Sequence, residues 1–193
     1  MKTRPVVRLE ERVVFAGVVE GLVRHGLHGQ VSLRLRERLR QVGLDLDRPL
    51  LPAYPVGMWS RCLQVIAEEA FPGVELEEAF RRLATRHVEG YGHTLFGRAV
   101  YRVMRLLGPR RMVQRLPQTL RGTDNYTEAE VVEVSPTTFE MRMNSVLYTP
   151  GYVEALFEAM LRVAGAESPR VVKTRVEEAH TTYRLTWTEP AAL

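Results

Sequence analysis

Cysteine is nearly absent from the 193-residue sequence, whose one thiol is Cys62. A single cysteine excludes an intramolecular disulfide, and no second thiol lies near it to form a CxxC redox or zinc site. The sequence also lacks a run of about 20 apolar residues, which a membrane-spanning helix needs. Arg8, Glu10, Glu11 and Arg12 interrupt the apolar stretch that a signal peptide requires. These absences predict a soluble protein of a reducing, cytoplasmic compartment.

Catalytic and metal-binding motifs are absent as well. No serine lies in a G-x-S-x-G or S-x-x-K pattern, and the glycines of GYGHTLFG are not followed by the Gly-Lys-Ser/Thr of a phosphate loop. His25 and His28 lie close in sequence, but Gly26 and Gly29 interrupt the helix that would direct both to one metal ion. The sequence therefore predicts no catalytic residue, no metal site and no enzymatic activity.

Acidic residues are missing from residues 91–122, which contain seven arginines. These residues carry +7 in a chain of net charge +4, so the remainder is negative. One interpretation is a basic ridge for an acidic protein partner, and the other is a solvated helix face paired with the acidic residues of 75–78 or 128–133. Nucleic acid is disfavoured because no helix-turn-helix, RNP or zinc pattern is present. The candidate partner-binding residues are Arg98, Arg102, Arg105, Arg110, Arg111 and Arg115.

Apolar periodicity predicts helices over the first two-thirds of the chain. Residues 12–24 match both a strand and a helix, and periodicity does not decide between them. In QVSLRLRERLRQVG, Leu35 and Leu39 share one face and Gly43 follows the last turn, as is typical of a helix. In VELEEAFRRLATRHVEGYG, His87 lies on an apolar face. Such a histidine is either a hydrogen-bonded core residue or, less commonly, a cofactor ligand.

The arginine-rich region itself predicts two helices. In TLFGRAVYRVMRLLG, the spacing predicts a buried stripe, with arginines on the opposite side. Gly108 ends this helix, and Pro109 begins a short second helix that ends before Pro117. The predicted buried stripe consists of Leu95, Ala99, Val103 and Leu107.

After Tyr126 the apolar period changes from that of a helix to that of a strand. FEMRMNS and TYRLTWT alternate apolar and polar residues, YTEAEVVEV and RVVKTRVEE are their hairpin partners, and TPGYVEALFEAMLRVAGA is a helix between the hairpins. The predicted fold class is α+β, with N-terminal helices packed on a C-terminal antiparallel sheet of ββαββ order. We expect one domain, 1–193, with a helical part, 1–122, and a ββαββ part, 123–193.

Aromatic and methionine side chains of these elements supply either a plain core or the wall of an apolar pocket. A ligand pocket of ordinary size has a volume of about 300–1,000 Å³. The sequence favours a non-enzymatic regulatory or sensory module that binds a small apolar effector. The alternative is a protein-interaction module that uses the arginine ridge, and a homodimer is a candidate assembly. The candidate ligand-binding residues are Phe96, Met104, Tyr148, Tyr152 and Trp187.

Longer stretches of the sequence and the order of its elements resemble two groups of known proteins. GYGHTLFGRAVYRVMRLLGPRRMVQRLPQTLRGTDNYTEAEV, YTPGYVEALFEAMLRVAG and the ending YRLTWTE resemble a myxobacterial paralogous family of uncharacterised proteins, a domain of unknown function. The order of helices and ββαββ is similar to the fold of haem nitric-oxide sensors, vinyl-4-reductase domains and vesicle-tethering subunits, which implies an apolar pocket between helices and sheet. The Tyr-x-Ser-x-Arg motif that holds haem propionates in these sensors is missing from MRMNSVLYTPG. The sequence therefore predicts no haem and no other cofactor.

Overall fold

The computed structural model describes residues 7–144 and 149–188. These residues form an α+β fold with helices in the N-terminal half and an antiparallel sheet at the C-terminus. Tyr148, a predicted ligand-binding residue, lies outside the described residues. The α-helices of the described residues are α1 (Ala16–Glu20), α2 (Leu33–Gln41), α3 (Val56–Ala70), α4 (Leu76–Tyr91), α5 (Leu95–Leu120) and α6 (Tyr152–Val163), and a 3₁₀-helix lies at Leu9–Glu11. The strands are β1 (Val13–Phe15), β2 (Ala53–Pro55), β3 (Ala129–Ser135), β4 (Thr138–Asn144), β5 (Glu167–Val176) and β6 (His180–Thr188).

The C-terminal sheet has the strand order β3-β4-β6-β5, and all neighbouring strands are antiparallel. Phe139 lies opposite Leu185 in the β4–β6 pair, and both side chains are buried against the helices. The next residues along each strand, Glu140 and Arg184, point to the other face and form an ion pair with a 2.8 Å separation. The predicted alternation and the ββαββ order are therefore confirmed.

Residues 12–24 contain a strand and a helix in succession. β1 pairs with β2 in a separate two-stranded sheet, so it does not extend the main sheet. α1 follows β1 directly and continues into a π-helix at Gly21–Gly26. Such wide helical turns are rare and occur often beside functional sites. This π-helix packs directly against α4, where Gly21 and Gly26 lie close to the backbone of Gly90.

α5 consists of two helical halves that meet at Gly108. The backbone of Gly108 has φ 72° and ψ 170°, a conformation almost restricted to glycine. The break between two helices was predicted, but the end before Pro117 was wrong, because the second half continues to Leu120. Pro117 removes one helical hydrogen bond. Burial of Leu116 and Leu120 on either side of it stabilises the last turn.

The predicted apolar stripe of α5 is also wrong, because the first half of the helix is rotated differently. Leu95 is 82% exposed and Val103 is 48% exposed, whereas Gly97, Tyr101 and Met104 are buried. Gly97 lies so close to α4 that a Cβ atom would be 1.8 Å from the carbonyl oxygen of Tyr91. The hydroxyl of Tyr101 donates to the carbonyl of Val88 at 2.7 Å. The close backbone contact at Gly97 and the buried hydrogen bond of Tyr101 thus determine which face of the first half of α5 is buried.

Two hydrophobic clusters fill the described fold, one among α1–α4 and one between α5, α6 and the sheet. The turn after α5 connects them, because the amide of Phe15 donates to the carbonyl of Thr123 at 2.9 Å. Asn125 holds the same turn, since its Oδ1 accepts from the amide of Val13 at 2.9 Å. None of the described helices combines the length and apolarity needed to cross a bilayer.

Candidate functional site

A cavity of about 170 Å³ lies where the two clusters meet. It is smaller than the ordinary ligand pocket of about 300–1,000 Å³ that the pocket interpretation predicted. Its wall is formed by β1, α1, α3, α4, α5, β4, α6 and the turn of residues 123–127. Apolar side chains dominate this wall, including those of Val14, Val18, Trp59, Val100, Met104, Met143, Val153, Leu156 and Met160.

His87 is a polar group of this wall, and both of its ring nitrogens are hydrogen-bonded. Nε2 lies 2.8 Å from the carbonyl oxygen of Val18, so this nitrogen carries the proton and donates it. Nδ1 is therefore the acceptor for the hydroxyl of Tyr152. Desolvation lowers the pKa of His87 to about 4, so the ring is neutral at pH 7.

Tyr152 begins α6 and is buried against α4. Desolvation raises the pKa of its phenol, so the hydroxyl keeps its proton and remains a donor to His87. The rings of Tyr152 and Phe80 meet edge to face at 6.4 Å. The sequence singled out both His87 and Tyr152, but their positions on separate helices gave no signal that they form a pair.

Asp124 organises the turn that closes one side of the cavity. Its carboxylate accepts from the amides of Tyr126 at 3.0 Å and Thr127 at 2.6 Å, and from the hydroxyl of Thr127 at 2.6 Å. The hydroxyl of Thr123 lies 3.3 Å from this carboxylate and donates its proton to the carbonyl of Leu120 at 2.6 Å. This buried carboxylate is satisfied by its own turn, and sequence inspection missed it. The short Asp-x-x-Thr spacing was the available signal.

The structure brings together two of the five predicted ligand-binding residues. Met104 and Tyr152 both line the cavity. Trp187 is buried elsewhere in the helix–sheet cluster, stacked on Phe139 with ring centroids 5.7 Å apart. Phe96 is 60% exposed and does not line the cavity, and Tyr148 lies outside the described residues.

The six predicted partner-binding arginines are all exposed on α5. Arg110 forms an ion pair with Glu133 at 2.6 Å, in agreement with the solvated-face interpretation for this one residue. That contact lowers the pKa of the Glu133 carboxyl. The five others form no ion pair or side-chain hydrogen bond within residues 7–144 and 149–188, and they are Arg98, Arg102, Arg105, Arg111 and Arg115.

Metal and thiol chemistry find no geometric support in the part of the chain that is described. Within it, no group of three or more His, Cys, Asp or Glu residues could hold a metal ion. Cys62 is fully buried in α3, and desolvation raises the pKa of its thiol to about 12. A thiol with such a pKa is protonated and unreactive at neutral pH.

Comparisons with known proteins identify a family and a fold. A family model described as "Protein of unknown function (DUF2378)" matches residues 12–188. No curated protein matches the sequence significantly.

Solved H-NOX structures share the fold. A Cs H-NOX variant with 4-cyano-L-phenylalanine is 15% identical, with a TM-score of 0.67 over 92% of this chain and 98% of that one. The Fe(II) unliganded H-NOX protein from K. algicida is 10% identical, with a TM-score of 0.65 over 92% of this chain and 97% of that one. A Tt H-NOX variant with two phenylalanine substitutions is 14% identical, with a TM-score of 0.62 over 93% of this chain and 97% of that one. Identities this low establish the H-NOX-like fold alone.

Proposed function

The chain belongs to the DUF2378 family, and we propose that it is a non-enzymatic sensory or regulatory module that binds a small apolar effector in the cavity between helices and sheet. The apolar cavity beside His87 carries this proposal. Its position at the junction of the two hydrophobic clusters supports a regulatory role, because an occupant would contact both. The cytoplasmic location and the myxobacterial origin of the family stay predictions from the sequence.

The volume of the cavity limits the effector to one small ring or a short alkyl chain. An engineered protein cavity of about 150 Å³ with an apolar lining stays dry and binds benzene. The cavity in this protein has about 170 Å³ and a similar lining, with Val18, Met104 and Leu156 among its residues. We therefore expect ligands of benzene to toluene size.

The polar groups of the wall select against a charged effector. His87 uses both ring nitrogens within the protein, and the hydroxyl of Tyr101 is bonded to Val88. Asp124 accepts hydrogen bonds from its own turn. A charged ligand would lose its hydration without gaining an equivalent partner, which is costly in an apolar site. A neutral, largely apolar molecule fits these walls best.

Haem, which the likeness to H-NOX structures suggests, does not fit the residues that line this cavity. A haem iron needs an axial nitrogen, sulfur or phenolate oxygen, and the lining histidine, His87, has no free ring nitrogen. Desolvation raises the pKa of each lining phenol, so these groups keep their protons and are not phenolate ligands; they are Tyr91, Tyr101, Tyr126 and Tyr152. Methionine ligands such as Met104 occur in haem proteins together with a histidine. Among the described residues, no arginine or lysine lines the cavity to balance the propionates, and a porphyrin is several times larger than a benzene ring.

The test is thermal unfolding of the full chain with toluene and, separately, with benzoate. At ten times its Kd, a ligand that binds the folded state stabilises it by about 1.4 kcal/mol. For a protein of this size, this corresponds to a Tm increase of about 3–6 °C. We expect this increase with toluene and none with benzoate, because the carboxylate would be buried without a partner.

Variants that fill the cavity assign the binding to this site. Val100→Phe and Val153→Phe each place a ring in the cavity, and both should abolish the toluene effect. Val132→Phe is the matched control, because Val132 is 63% exposed on β3. A toluene effect that survives both filling variants would overturn the proposed site. Saturable binding of haemin with a ligated absorption band would instead support a haem function.

A further inference from the structure

The exposed face of the first half of α5 combines apolar and basic side chains. Leu95 is 82% exposed and Leu106 is 80% exposed, although large apolar side chains stabilise a fold only when buried. Arginines follow them at helical spacing along one flank. We define the α5 patch as Leu95, Arg98, Arg102, Val103, Arg105 and Leu106.

The arginines of the α5 patch differ from most others in the protein. Arg38 pairs with Glu68 and Glu69, and ion pairs of this kind recur over the described surface. The guanidinium groups of Arg98, Arg102 and Arg105 have no carboxylate partner among the described residues. Three cations of one helix flank thus remain available for an external anion.

A groove of about 560 Å³ runs along this flank. Arg98, Arg102 and Arg105 line one side of it, and Leu106 and Val163 add apolar surface. Among the described residues that line the groove, Glu89 is the one carboxylate. The groove therefore offers a strip of positive charge next to an apolar strip, which is the complement of an acidic amphipathic helix.

We propose that the α5 patch and its groove bind an acidic amphipathic helix of a partner protein. Carboxylates of the partner, three and four residues apart, lie against Arg98, Arg102 and Arg105. Its apolar residues cover Leu95 and Leu106. Guanidinium groups suit this role because their planar donors match carboxylates in a bidentate geometry. This surface lies on the exposed side of α5 and does not depend on the cavity having a ligand.

Two other anionic partners fit the patch less well. A helix that lies on a bilayer has its apolar stripe opposite its basic face, whereas in α5 the arginines border the apolar strip on one flank and lead into a groove. Nucleic acid binding relies on neutralised phosphates, and exposed Leu95 and Leu106 contribute little to it. The concave shape and the mixed chemistry favour a protein segment.

The experiment selects displayed random 16-residue peptides on the immobilised full chain. We expect enriched peptides to contain Asp or Glu and large apolar residues at spacings of three and four. Arg102→Gln with Arg105→Gln should raise the Kd of the most enriched peptide about tenfold and reduce its salt dependence. Leu106→Ser should also raise the Kd several-fold.

Matched controls remove the same groups from elsewhere on the surface. Arg61→Gln with Arg170→Gln deletes two exposed arginines that are also without an ion pair in the described regions, and it should change the Kd less than twofold. Leu33→Ser is the control for Leu106→Ser, because Leu33 is 86% exposed on α2. Unchanged Tm values confirm that all variants fold.

Several results would overturn the proposal. Selected peptides without acidic enrichment, no enrichment at all, or equal losses in both double-arginine variants would each reject an acidic helix on α5. Tighter binding to vesicles of phosphatidylcholine and phosphatidylglycerol than to any selected peptide would assign the patch to anionic lipid. A wild-type dimer that dissociates on Arg102→Gln with Arg105→Gln would assign it to a second copy of this chain.

Discussion

Replacing Gly90 with alanine should lower the Tm by about 6–12 °C. Gly90 lies on α4 where this helix crosses the π-helix, and a Cβ atom there would be 2.1 Å from the carbonyl oxygen of Gly21 and 2.3 Å from the amide nitrogen of Gly26. Backbone atoms on both sides cannot yield as a flexible side chain would. Overpacking of this kind costs about 3 kcal/mol at the upper end of its usual range, which gives the stated change in Tm.

Gly57→Ala is the control for this prediction. Gly57 lies in the first turn of α3, and the nearest atom to its added Cβ is the end of the Arg61 side chain at 4.0 Å. Alanine is the better helix former there and should stabilise the protein by roughly 0.5–1 kcal/mol. Thermal unfolding of both variants distinguishes a packing effect from a general effect of helix glycines. Equal Tm values for wild type and Gly90→Ala would show that the two helices are not in tight contact.

The same substitution should weaken binding of toluene. The contact at Gly90 sets the distance between α4 and the segment that contains α1, and this distance brings Nε2 of His87 within 2.8 Å of the carbonyl of Val18. A shift between these elements would move two walls of the cavity apart. We therefore expect the folded Gly90→Ala variant to show a smaller toluene-dependent Tm increase than Gly57→Ala.

Lowering the pH from 8 to 5 should destabilise the protein by about 2 kcal/mol through His87 alone. The pKa of His87 is lowered by burial to about 4 in the folded state, while an exposed histidine has a pKa of about 6.5. Between these values the unfolded chain binds the proton and the folded one does not, so stability falls as the pH falls. The loss begins near pH 6.5 and is complete below about pH 4.

His87→Gln isolates this contribution. Glutamine retains a donor and an acceptor for Val18 and Tyr152 but does not titrate. Chemical denaturation at pH 8 and pH 5 should show a loss of stability that is about 2 kcal/mol smaller in His87→Gln than in wild type. His93→Gln, at an exposed histidine, should retain the wild-type loss. An equal loss in all three proteins would show that His87 is not buried in its neutral form.

Carboxylates with lowered pKa values do not account for the change in stability between pH 8 and pH 5. The side-chain hydrogen bonds of Arg38, Arg110 and Arg142 lower the pKa of Glu68, Glu133 and Glu177, respectively. A group with a lowered pKa loses its stabilising contribution only below its unfolded value, which is about 4.3 for glutamate. Restricting the measurement to pH 5 and above therefore leaves His87 as the main buried group that changes charge.

Local patterns predicted the secondary structure of the sheet well. The alternation in FEMRMNS and TYRLTWT is visible without any partner, because one face of a strand is buried and the other is solvated. The pairing of Phe139 with Leu185 confirms the predicted inward face. The same reasoning failed for the first half of α5, because the stripe predicted from its spacing includes exposed Leu95 and Val103 and is not the buried face.

The sequence by itself determined the α+β order, the break at Gly108 and the accumulation of arginines in residues 91–122, because each depends on neighbouring residues only. The tertiary structure decided that Leu95 faces solvent, that Met104 faces a cavity and that His87 is neutral. His87 meets Val18 across 69 residues and Tyr152 across 65. Contacts between such distant residues depend on how closely helix backbones approach, and local periodicity contains no information about that distance.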